Sequence, residues 1–174
     1  KCSAKTGAGL QALLEMLEQR GQFGRRVMEV DYDVYAEGEA ELGWLNSQVT
    51  VRAQQDFHLD QFLLELIRRL HARLLTSSAE AAHLKVIGLS DGGYAVGNLV
   101  SNITGPELSL ASHEQTRTAS IVVNARVATD PQLLESIVRD ELAGVCQMFS
   151  AEYTVLTLQS FRPGRPVPTH RLND

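Results

Sequence analysis

No stretch of this sequence approaches the ~18 consecutive apolar residues of a membrane-spanning helix, and no secretory signal stands at its start. Cysteine is scarce. Cys2 and Cys146 alone make no disulfide framework, which points to a reducing, cytoplasmic setting. Positive charge is in deficit: 16 Lys and Arg stand against 21 Asp and Glu, a formal net charge of −5. That balance argues against a protein held mainly by nucleic-acid phosphates. Catalytic motifs are missing as well. There is no Gly-x-x-x-x-Gly-Lys-Ser/Thr phosphate loop, no Gly-x-Ser-x-Gly elbow and no His-Glu-x-x-His pair. The five histidines (His58, His71, His83, His113, His170) are scattered, and neither cysteine has a Cys-x-x-Cys neighbour. No constellation here supports an enzyme.

What is present suits a globular chain. The 174 residues, 44% of them hydrophobic, can bury a genuine core in one medium domain or a domain with an appendage. The opening, Lys1 to Leu10, has no initiator Met and reads as the interior of something longer.

Leu10, Leu13, Leu14 and Leu17 form an i, i+3, i+4, i+7 stripe, a short amphipathic helix ending at Gly21. Gly21 to Arg26 reads as a linker. The acidic run from Glu29 to Glu41 alternates like a strand in its first half and like a helical turn or two in its second. A metal site is the sharper reading of its carboxylates, and a solvated linker with buried Tyr and Trp anchors the favoured one.

Gln48 to Ala53 alternates cleanly as a half-buried strand. A wide apolar stripe from Leu59 to Leu74 predicts a helix over about 58–75. Leu84–Leu89 and Tyr94–Val100 flank the Ser90-Asp91-Gly92-Gly93 turn as a hairpin, and a long loop is expected over 102–116. Thr118–Val127 is the clearest strand. Asp130-Pro131 then opens a helix whose buried stripe includes Leu134, Val138, Leu142 and Val145, with Cys146 packing beside it. Tyr153–Phe161 is the last strand, and Arg162 onward is an extended basic arm broken by three prolines.

From Gln48 the order is strand, helix, strand, strand, strand, helix, strand. This predicts an α+β, ferredoxin-like sandwich: a mostly antiparallel sheet with two helices on one face and one added strand, the third or the last. The uncovered sheet face would carry Thr50, Arg52, Asn124 and Arg126. Arg52, Asn124 and Arg126 are the candidate partner-docking residues, although each is equally at home as a solvent-facing strand position.

Two groups of residues resemble a known family. Ser3-Ala4-Lys5, then Thr6-Gly7-Ala8-Gly9-Leu10 and a leucine helix, is similar to the last guanine-recognition motif of P-loop GTPases. Gln48–Ala53 with its long helix, Leu84-Lys-Val-Ile-Gly-Leu89, and Ile121–Arg126 with the Leu133–Leu142 helix resemble the C-terminal domain of CobW-like GTPases, relatives of UreG and HypB. The family's Cys-x-Cys-Cys belongs to the GTPase half, and the acidic run and the Arg/Pro tail are additions to the common pattern.

The resemblance implies residues 1–26 as the end of a GTPase domain with its linker, 27–161 as a CobW-like C-terminal domain and 162–174 as a tail. Ser3, Ala4 and Lys5 would contact nucleotide only in the intact parent. For that parent it implies GTP, a divalent metal, and delivery of metal or cobalamin cofactor to a metalloprotein or cofactor-enzyme client. For these residues it implies a non-catalytic regulatory or docking role, with the protein's own GTPase domain and the client as partners, no cofactor of its own, and neither nucleic acid nor membrane. The alternative is a free-standing ferredoxin-like ligand-sensing or dimerisation domain, a homodimer.

Overall fold

The leucine stripe near the start does form a helix, α1 (Leu10–Glu18), in the computed structural model, which describes residues 1–4, 6–21 and 31–164. Lys5, most of the expected linker and the tail beyond Gly164 lie outside the described residues. Two compact units divide the chain, Lys1–Asp31 and the part from Tyr32 onward.

In the first unit a tight loop precedes α1. Ser3 N–H donates to Ala8 O and Gly7 N–H to Ser3 O, both at 2.9 Å. Gly9 closes the loop at φ 75°, where a Cβ would stand 2.3 Å from the Lys1 carbonyl oxygen. Only glycine fits there without strain.

The second unit opens with α2 (Tyr32–Ala40), helical throughout rather than half strand. Asp33 sits in its first turn, where the helix dipole favours an acid, and Glu37, Glu39 and the alanines are good helix formers. Next come β1 (Gly43–His58), α3 (Leu59–Thr76), β2 (Glu80–Ser90), β3 (Gly93–Leu99), β4 (Glu107–Leu110), β5 (Gln115–Ala128), α4 (Pro131–Met148) and β6 (Ala151–Phe161). The architecture is α+β, with one antiparallel six-stranded sheet in the order β4-β3-β2-β5-β1-β6.

Two sequence expectations need correction. The first strand begins at Gly43, so Trp44 is a strand residue and not an anchor of an acidic linker. Residues 102–116 are not one loop: β4 pairs with β3, and Leu108 packs against the core. Which strand is the addition was open between the third and the last; in the sheet, β3 stands with β4 at one border and the last strand pairs directly with β1.

One face of the sheet carries the core. Leu45, Val49 and Val51 of β1, Ile121, Val123 and Val127 of β5, and Leu84 and Val86 of β2 point inward, under the stripes of α3 and α4. Both helices lie on this face, and Arg69 Nε meets Glu141 Oε2 between them at 2.9 Å. Gly88 lets α3 approach β2, since a Cβ there would meet Leu59 Cδ1 at 2.7 Å. Phe57, Phe62 and Phe149 close one end, with ring centroids 5.2–6.0 Å apart. Asp60 ties α3 to the chain before β5: its carboxylate accepts from Ser112 N–H and Oγ at 2.8 Å and from His113 N–H at 2.9 Å.

Candidate functional site

Among the described residues from Tyr32 onward, the helices that pack on the sheet are α3 and α4, and the face opposite them carries neither. The strand pleat fixes which side chains it carries, because alternate residues point to opposite faces. With Leu45, Val49 and Val51 inward, Trp44, Asn46, Gln48, Thr50 and Arg52 of β1 must point outward. Register then places Arg126 opposite Trp44, Asn124 opposite Asn46, and Ser120 opposite Thr50. On the other side of β5, His83 faces Arg126 and Lys85 faces Asn124.

These neighbours hold one another. The Arg126 guanidinium carbon lies 3.9 Å from the Trp44 ring centroid, a cation–π contact, and Phe161 of β6 flanks the indole at 6.1 Å between centroids. Asn124 Nδ2 donates to Asn46 Oδ1 at 2.7 Å, and Gln48 Nε2 to Ser120 Oγ at 3.1 Å. Trp44, Asn46, His83, Asn124, Ala125 and Arg126 line a cavity of about 260 Å³. The His83 imidazole is pushed below its usual pKa by burial first, then by the charges of Lys85 and Arg126.

Of the three predicted docking residues, the structure brings Asn124 and Arg126 together and leaves Arg52 apart. Arg52 lies at the other end of β1 from Trp44, roughly 26 Å away at about 3.3 Å per residue. There it is opposite Thr118 and Glu152. Trp44, Asn46, His83 and Lys85 were not among the predicted docking residues. The signal for the first two was the outward parity of Thr50 and Arg52, continued back along β1. Ser47, an inward polar residue, interrupts the apolar alternation that would have revealed it. His83 and Lys85 reach the cluster only through β2–β5 pairing, which local pattern does not encode.

Arg162, the first residue of the basic arm, is engaged with backbone: its guanidinium donates to Ala40 O at 2.5 Å and Thr129 O at 3.5 Å. Among the described residues, no group of three His, Cys, Asp or Glu is placed to hold a metal ion, and no helix is long and apolar enough to cross a membrane.

Ser3 and Ala4 lie in the tight loop before α1. Its hydrogen bonds use the Ser3 N–H, the Ser3 hydroxyl (which accepts from Thr6 N–H at 3.3 Å) and the Gly7 N–H. The Ala4 N–H has no acceptor among the described residues.

Comparison with family models, with curated proteins and with solved structures finds no match. What can be said of function rests on the geometry.

Proposed function

We propose that the unit from Tyr32 onward is a non-catalytic docking domain, and that its open sheet face seats a protein partner. One observation carries this reading: the face opposite α3 and α4 bears an ordered set of side chains, with Arg126 over Trp44 and amide rungs beside it. A solvent-facing sheet needs no such ordering. A docking surface gains from it, because less side-chain entropy is lost on binding.

The finer architecture we read as ferredoxin-like. The series β1-α3-β2-β5-α4-β6 occupies the contiguous order β6-β1-β5-β2, the 4-1-3-2 arrangement of that fold, and β3 and β4 extend it at one edge. We further infer that the chain belongs to a CobW-like GTPase coupled to metal or cobalamin-cofactor delivery. The Ser3–Leu10 loop supports this, since a closed turn that leaves the Ala4 amide unspent suits recognition of a guanine oxygen. Phosphate contacts would come from the GTPase half.

Two measurements test it. The reading frame preceding Lys1 is expected to encode Gly-x-x-x-x-Gly-Lys-Ser/Thr and then an Asn-Lys-x-Asp-like motif. Titration calorimetry of this chain with GTP is expected to be silent, and micromolar binding would overturn the fragment reading.

One feature favours the second reading, a free-standing dimerisation domain. The edge strand β6 runs 11 residues with Glu152 its sole charge and Leu156 54% exposed. Sedimentation at rising concentration would then report a dimer that Leu156→Lys weakens.

A further inference from the structure

Charge is distributed unevenly over the open face. The chain as a whole carries a net −5. Yet at the Trp44 end the cations Arg126 and Lys85 stand beside His83, with no carboxylate within 4.0 Å of either cation among the described residues. The cavity between them is also rich in donors. Trp44 contributes its indole ring to the wall, while its Nε1–H is shielded from solvent and has no acceptor among the described residues. Asn46 spends its oxygen on Asn124, leaving its own amide hydrogens over. The Arg126 guanidinium sits over the indole, and its N–H groups, which can pair with two oxygens of a planar carboxylate, make no hydrogen bond or ion pair among the described residues.

A pocket of unspent donors and unpaired positive charge is complementary to a group that only accepts. An ionised carboxylate is such a group.

We propose that this pocket, bounded by Trp44, Asn46, His83 and Arg126 with Lys85 beside it, is a carboxylate-binding site that takes an Asp or Glu side chain of an acidic partner segment. The proposal rests on the reading of the open face as the docking surface, and it names that partner's chemistry. A segment suits the site better than a free small acid, because the outward row continues from Trp44 through Gln48 and Thr50 to a second cation, Arg52. An extended peptide of about eight residues spans that distance.

The chain reports on itself, since Trp44 is its one tryptophan. Octaglutamate titrated at low salt is expected to change the Trp44 emission saturably, and added salt to weaken the effect. Octaglutamine should do nothing. Lys85→Gln, which leaves the ring contact intact, should weaken octaglutamate binding roughly tenfold, and Arg126→Gln at least as much. Arg126→Lys should restore part of the loss, and far-ultraviolet circular dichroism of each variant verifies the fold.

No saturable response, or one indifferent to both substitutions, overturns the proposal. So does a response to inorganic phosphate with octaglutamate silent. Partner binding that is lost in Arg52→Glu but kept in Lys85→Gln and Arg126→Gln would remove this pocket while leaving the docking surface itself in place.

Discussion

Ser47 points into the core at 4% exposure, and its hydroxyl has no hydrogen-bond partner among the described residues. Desolvating such a group without a bond costs about 1–3 kcal/mol. Ser47→Ala is therefore expected to stabilise the domain by roughly 1 kcal/mol, seen as a higher urea midpoint at unchanged slope. Asp60 gives a pH dependence. Burial pushes its carboxyl up, but hydrogen bonds from the Ser112 and His113 N–H groups and the Ser112 hydroxyl, with the charge of His113, outweigh this and leave the pKa lowered. A folded value below the unfolded one contributes stability that is present above about pH 4 and lost as the pH falls through the lowered value. Asp60→Asn should flatten that acid limb in a stability-versus-pH series. At this scale the sequence was readable where chemistry is local. Asp130 before Pro131 announced the cap it forms, accepting from Gln132 N–H at 2.8 Å. Cys146 was expected to pack as a small apolar residue, and burial raises its thiol to about 11. The Asp60 clamp joins residues over fifty positions apart, and no local signal marks it.

Elements were legible in proportion to how strongly their pattern repeats. The stripes of α3 and α4 each bury a full apolar face, so the extent of α3 and the start of α4 were predicted nearly to the residue. The strand β4 has only four residues and one side chain against the core, so nothing in its own sequence separates it from loop. It exists because β3 offers an unpaired edge. Two substitutions test what positions the helices. Asp130→Ala removes the bonds to Gln132 and Leu133 at the start of α4 and should cost about 1 kcal/mol in chemical denaturation. Gly88→Val should cost more, about 1–3 kcal/mol, because its side chain would displace Leu59 and Leu63 from the α3–β2 contact. An unchanged unfolding midpoint for Gly88→Val would mean that α3 can lift off the sheet freely.

On the scale of the molecule, the one-sided layer was predictable from the order of elements, while of the cluster on the bare face only Asn124 and Arg126 were. That face is assembled from β1, β5 and β2, and their pairing brings Trp44 beside Arg126 and Arg126 beside His83 from distant parts of the chain. The two edges of the same sheet also differ. At one end β4 is four residues long, and the register shifts where it meets β3. At the other, β6 presents an 11-residue border that pairs on one side only among the described residues. A sheet with one blunt border and one receptive border can join a second copy only through the receptive one. That union consumes both receptive borders and leaves blunt ones outermost, so strand-by-strand growth halts at a pair instead of running on into a fibre.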